Sequence, residues 1–271
     1  ASLDGTQVNG LASEDLAAMS STQVAALATD ALASLDGTQV NGLASEDLAA
    51  MSSTQVAALA TDALASLDGT QVDGLASEDL AAMSSTQVTA LTTEALASLD
   101  AAQAAGLQGE DLVALAVAGK LDNLSVPLTT AQVQSLATGG VTVGAAEASL
   151  LNDIINATTD NTLAGTAAGT EGAINSASEL ANLVRIADAI ATTAAGGSAS
   201  PALTAADFAA LGITGVTAAN LSSVLAALTS TADDGTGVDT LAKIQALIPA
   251  TYSIAADQAT VTEGNSGTTP T

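Results

Sequence analysis

The sequence predicts an all-α protein: an octapeptide-repeat solenoid of short helices, then two small three-helix modules and a short extended C-terminal tail. Three observations carry that expectation. A 32-residue block, ASLDGTQVNGLASEDLAAMSSTQVAALATDAL, fills 1–32 and recurs letter for letter at 33–64. It recurs again at 65–96 with changes only at Asp73, Thr89, Thr92 and Glu94. Within the block an apolar pair returns every eight residues: Val8, Leu16, Val24 and Leu32, with Leu11, Met19, Leu27 and Leu35 three residues after each. The block is also rich in Ala, Leu, Gln, Glu and Met, which favour helix over strand.

Each octad reads polar-polar-[Val/Leu]-x-x-[Leu/Met]-x-[Ser/Thr/Gly]. The pattern runs on, degraded, through Ala104/Leu107 and Leu112/Leu115, giving fourteen octads. One continuous helix does not suit it. Eight residues at about 100° each rotate the apolar pair by about 80° per octad, so the stripe winds around and never defines a buried face. A helical segment of one or two turns followed by a corner does suit it. Ser13, Ser21, Thr22 and Thr29 are N-cap types, with Glu14, Asp15 and Asp30 at the first turn, where the helix dipole favours acids. Gly5, Gly37 and Gly69, each after an Asp, mark a sharper corner once per block. Segments this short do not hold alone in water, so successive octads must stack their Val and Leu/Met positions into one core, Met19, Met51 and Met83 included. A β-solenoid of short strands is the alternative, but two-residue alternation is missing. Low-complexity disorder is a third, against which the regular apolar pairs argue.

Composition narrows the function. The 29 acidic residues face only Lys120, Arg185 and Lys243, a net charge of −26. No basic patch can form, so nucleic acid and anionic membrane surfaces are poor partners. Cysteine and histidine are absent, which removes disulfides, thiol catalysis, His-based zinc sites and Ser-His triads. Phe208 and Tyr252 are the only aromatics, too few for stacking sites. No stretch of eighteen apolar residues exists, so no membrane insertion is expected. The chain begins inside a repeat without a signal peptide, so it reads as a segment of a larger parent chain whose other domains are its neighbours.

The solenoid is expected over 1–125, ending at LDNLSVP. A three-helix module with a long loop and linker is expected over 126–200, from LTTAQVQSLATGGVTVG, AEASLLNDIINATT and INSASELANLVRIADAI, the last capped by Ser176 or Ser178. A second module over 201–250 repeats the plan in LTAADFAALGITGVTAANLSSVLAALTSTADDGTGVDTLAKIQALI. That run resembles the GA-like three-helix modules strung along giant bacterial surface proteins, closely over about 48 residues and more loosely over 128–190. Some members of that group bind serum albumin; no surface residues here match, so that function is not carried across. The tail, 251–271, contains ATVTEGNSG, which resembles the opening strand of a Calx-β domain. In that family a glutamate here helps to bind calcium, and Glu263 is the matching position.

Candidate chemistry is sparse. The paired acids Glu14–Asp15, Glu46–Asp47, Glu78–Asp79 and Glu110–Asp111 read as first-turn residues rather than acid/base pairs. Asp4, Asp36 and Asp68, with Asn9, Asn41 and Asp73 five residues on, read as turns, with a stacked calcium ladder as the alternative. Asp233, Asp234 and Asp239 resemble a calcium loop but lack its spacing and terminal Glu, so Asp239 reads as a helix N-cap. Calcium is therefore the only cofactor in view. Near-identical blocks supply no unique catalytic constellation, so a non-enzyme is expected. The leading expectation is a stalk or spacer segment of a large extracellular bacterial adhesin of the type I-secreted kind. A self-assembling filament or sheath subunit is the runner-up, and a host-protein-binding module through the GA-like pair is the third.

Overall fold

The computed structural model describes residues 3–137, 143–159, 174, 176–231 and 235–248. They are all-helical, with no strand among them. Each octad forms one helix. The first block gives α1 (Gly5–Val8), α2 (Ser13–Ala17), α3 (Ser21–Ala25) and α4 (Thr29–Leu32). The second gives α5 (Gly37–Val40), α6 (Ser45–Ala50), α7 (Ser53–Val56) and α8 (Thr61–Leu64). The third gives α9 (Gly69–Val72), α10 (Ser77–Ala82), α11 (Ser85–Ala90) and α12 (Thr93–Ser98). Two degraded octads follow as α13 (Ala101–Ala104) and α14 (Gly109–Val117).

Every helix from α4 to α14 packs on the helix three before it. The chain is thus a coil whose turns stack, and the stacking fills the core. Val8, Leu16, Val24 and Leu32 and their equivalents through Leu96 are fully buried. From the second coil on, the Leu/Met set is buried too. This is where helices of four to six residues find their stability, since alone they would melt. The corners need no left-handed residue. Each N-cap is extended, for example Asp36 at φ −94°, ψ 173°, and that one residue turns the chain.

Two local expectations are corrected. The caps lie one residue earlier than read: Asp4, Ala12, Ser20 and Ala28 are the N-caps, and Ser13, Ser21 and Thr29 are the first helical residues. The glycines after Asp serve close approach, not a turn. A Cβ on Gly37 would sit 2.2 Å from Ser66 Oγ on the next coil. The aspartate is the cap and the missing side chain admits the neighbouring turn.

The far end of the coil is closed by different elements. A 3₁₀ turn, Leu121–Asn123, packs on α12. Gly119, at φ +64°, ends α14 in the left-handed conformation, with Lys120 N–H donating back to Leu115. α15 (Thr130–Leu136), α16 (Ala145–Thr159) and α17 (Ala177–Ala194) follow, and α17 packs on α14. Ser176 caps α17, whose buried side carries Leu180, Leu183, Val184, Ala187 and Ile190. α18 (Ala205–Ala210), α19 (Leu221–Thr229) and α20 (Leu241–Ala246) complete the helices, around the buried Phe208, Val224, Leu228 and Ile244.

The two groups of three helices rest on one another. α17 packs on α19 and α16 on α20. Asp153 on α16 accepts the Leu241 N–H that opens α20, at 2.7 Å. Its neighbour Asn152 bonds the Leu128 N–H at 2.7 Å and the Leu128 carbonyl at 2.9 Å. Arg185 on α17 pairs with Asp207 on α18.

Candidate functional site

The chemistry of the coil is concentrated in its glutamines. Asp-x-x-Gln or Ser-x-x-Gln opens every second octad, and the glutamine side chain closes a capping box: in α5, Gln39 Oε1 accepts the Asp36 N–H at 3.1 Å. The other end of the same amide reaches the coil before. Gln39 Nε2 donates to the Val8 and Leu11 carbonyls, both at 2.8 Å. Gln71 repeats the pair on Val40 and Leu43, and Gln103 on Val72 and Leu75. A second column runs alongside: Gln55 bonds Ala25 and Leu27, and Gln87 bonds Ala57 and Leu59, all at 2.9 Å. Each amide is fully satisfied and staples one coil to the next.

Both columns end on different residues that do the same work. Gln132 on α15 bonds the Ala104 and Leu107 carbonyls, so the first column runs past residue 125. In the second column Lys120 takes the glutamine's place. Its ammonium donates to the carbonyls of Thr89 and Leu91, the block equivalents of Ala57 and Leu59, at 2.6 and 2.8 Å. All three cations of the chain are thereby engaged: Lys120 here, Arg185 with Asn182 and Asp207, and Lys243 with Asp239 and the Thr236 carbonyl.

The acidic pairs separate as their helical positions require. Asp15, Asp47, Asp79 and Asp111 each accept the N–H of their own N-cap residue, at 2.7–2.9 Å. Their Glu partners point to solvent, three of them touching the preceding serine hydroxyl. Asp4, Asp36 and Asp68 are likewise engaged as caps. Asp239 is not the N-cap of α20; Thr240 is, and the Asp239 carboxylate lies 2.6 Å from Lys243 Nζ. Asp233, Asp234 and Glu263 lie outside the described residues, and among those residues no cluster of three metal-ligating side chains occurs. No helix there is long and apolar enough to cross a membrane.

Concavities among the described residues include the following. One, of about 420 Å³, opens at the near end of the coil and is lined by Leu3, Leu11, Asp15, Met19, Gln23 and Leu27. A broad open depression of about 580 Å³ lies between α14 and α15, over Gln108, Glu110, Val113 and Ser135. The third, about 10 Å³, lies beside Glu147 and Asp188 and is too small for any substrate.

Among the described residues, three carboxyls have displaced pKa values. Burial raises Asp79 above its ordinary 3.8, against the Ala76 N–H, which lowers it. Burial and the nearby Asp188 carboxylate raise Glu147 above 4.5, against the Gly144 N–H. Burial also pushes on Asp207, but the Thr204 hydroxyl and N–H and the Arg185 guanidinium together hold it below 3.8. The folded state therefore holds the Asp79 and Glu147 protons more tightly than the unfolded chain, and stability falls as pH rises through that window. Asp207 works the other way: its contribution is present above 3.8 and is lost as pH falls through its lowered value. Urea midpoints are expected to rise from pH 7 to about pH 4.5 and to drop again toward pH 2. Asp79→Asn is expected to raise the midpoint at pH 7 and flatten the first limb.

Comparison with protein-family models, with curated proteins and with solved structures returns no match.

Proposed function

We propose that this chain is a non-catalytic structural spacer, a stalk segment of a large extracellular bacterial adhesin or surface protein. The observation that supports the reading most is the identity of the staples. Gln71 makes on the second block the contacts that Gln39 makes on the first, and Gln103 makes them on the third. Each interface between one block and the next is written by the block itself, so copying a block adds length and leaves each of those contacts unchanged. Such a device sets distance. It offers no unique acid, base or nucleophile, because its acids serve as caps or face solvent. A charge of −26 keeps a long array soluble and apart from its neighbours. The closed far end supports a spacer over a filament of identical copies, which needs two open ends.

Deleting residues 33–64 joins two equivalent positions and tests this directly. The shortened chain is expected to keep its helical spectrum and cooperative unfolding, with a maximum dimension by small-angle scattering reduced by one coil. Adding a copy is expected to lengthen it by the same step. Loss of the helical spectrum on deletion, or an unchanged dimension, would count against a spacer.

A further inference from the structure

The near end of the coil is built like an interior surface. Helices α5, α6 and α7 form the same face one block later, and there it is covered. Leu43 is 3 % exposed, Met51 6 % and Asp47 6 %. Their equivalents at the near end are open: Leu11 and Met19 are partly exposed and Asp15 is exposed. The 420 Å³ concavity over Leu3, Leu11, Met19 and Leu27 is that uncovered core.

Two glutamines tell what covers such a face. Gln7 and Gln23 close their capping boxes, with Oε1 accepting the Asp4 N–H at 3.0 Å and the Ser20 N–H at 2.9 Å. That fixes the amide in the same orientation as in Gln39 and Gln55. Among the described residues, however, the Nε2 groups of Gln7 and Gln23 have no acceptor, whereas those of Gln39 and Gln55 each hold two backbone carbonyls. Gly10 agrees. A Cβ there meets nothing nearer than its own Gln7 carbonyl at 3.5 Å, whereas on Gly42 it would lie 2.0 Å from the carbonyl of Ser13. The occupant must therefore bring an apolar underside, two pairs of carbonyls for the two amides, and a carbonyl that fits over a bare glycine.

We propose that the α1–α3 face is a docking surface for one more coil of the same octad repeat, entering in line at the amino side of α1. The block's own sequence supplies every feature required: the carbonyls of its eighth and eleventh residues, of its twenty-fifth and twenty-seventh, and of its thirteenth. A second copy of this chain does not supply them. Its matching carbonyls at the far end are held by Gln132 and Lys120, and α17 covers α14. Two near ends brought together would oppose donor to donor. The inference rests on the coil's geometry and stands or falls apart from the spacer reading.

The test compares the chain as it is with the chain carrying one added copy of residues 1–32 ahead of Ala1. In the extended chain the side-chain amide protons of Gln7 and Gln23 are expected to exchange about tenfold more slowly, the factor equivalent to an ordinary buried hydrogen bond. Gln7→Ala is expected to leave the thermal midpoint of the unextended chain almost unchanged and to lower that of the extended chain as Gln39→Ala does. Met19→Glu is expected to follow the same pattern, since it charges the apolar floor only where a coil covers it. Light scattering is expected to give a monomer for the unextended chain. Equal effects of Gln7→Ala in both chains, unprotected amides in the extended chain, or a dimer of the unextended chain that Met19→Glu dissociates would each overturn the proposal.

Discussion

Gln71→Ala is expected to destabilise the chain by about 3 kcal/mol, the sum of two or three buried polar groups losing partners. The substitution removes the donors to the Val40 and Leu43 carbonyls and the acceptor for the Asp68 N–H. Val40 keeps a bond from the Leu43 N–H, so the Leu43 carbonyl and the Asp68 N–H lose most. Gln7→Ala, at the same position of the first block, loses only the exposed cap bond and is expected to change stability by about 0.5 kcal/mol or less. Lysine should substitute in part. The Gln87 carbonyl pair is the block equivalent of the pair that Lys120 holds, so Gln87→Lys is expected to lose less than Gln87→Ala. Urea denaturation of the four variants, with slopes compared to confirm a common unfolded state, checks the series.

Gly74→Ala is expected to be at least as damaging, about 3 kcal/mol or more. The added methyl would lie 2.0 Å from the Ser45 carbonyl oxygen and 2.8 Å from its carbon. Backbone on the neighbouring coil must move, and a packed coil has little room to give. Gly42 and Gly106 meet the carbonyls of Ser13 and Ser77 in the same way. Gly10→Ala, in the same local sequence apart from Asn9 where the third block has Asp73, is expected to be neutral or slightly stabilising, because the space is open and alanine restricts the unfolded chain. A local propensity effect would make the two substitutions equal. Only stacking of one block on another makes them differ.

Much of the coil was legible in the residues. The octad pair, Val/Leu with Leu/Met three on, names the buried set, and the five-residue gap between pairs rules out a continuous helix. The caps were read one residue late because Ser13 and Thr29 are better cap types than Ala12 and Ala28. At α2 the N3 residue decides: Asp15 reaches back to the Ala12 N–H, so a cap position can be filled by alanine, whereas Ala28 caps α4 with no side-chain bond. The octad pattern by itself assigns the glutamines no role. The signal was present in Asp-Gly-Thr-Gln, Ser-Ser-Thr-Gln and Thr-Thr-Ala-Gln, each a capping box, and the last would have carried the coil past 125 to α15. Their reach to the preceding coil was not legible, since it depends on a separation of 28 to 31 residues that no local pattern encodes. Lys120 was hidden for the same reason. It stands out of register with the glutamines in sequence and in register with them in space.

Residues about one block apart are neighbours because the chain coils. The sequence contains no cysteine, so one engineered pair tests it cleanly. A Cβ on Gly37 would lie 3.2 Å from the Ser66 Cβ, within a small shift of disulfide geometry. The double variant Gly37→Cys/Ser66→Cys is expected to form an intramolecular disulfide on mild oxidation, seen as a two-dalton mass loss and faster migration without reductant. Gly37→Cys/Ser98→Cys, one coil further on, is expected to stay reduced or to cross-link only between molecules. A straight helix would hold positions 37 and 66 about 44 Å apart. Failure of the first pair to close, or equal closure of both, would contradict the stacked coil.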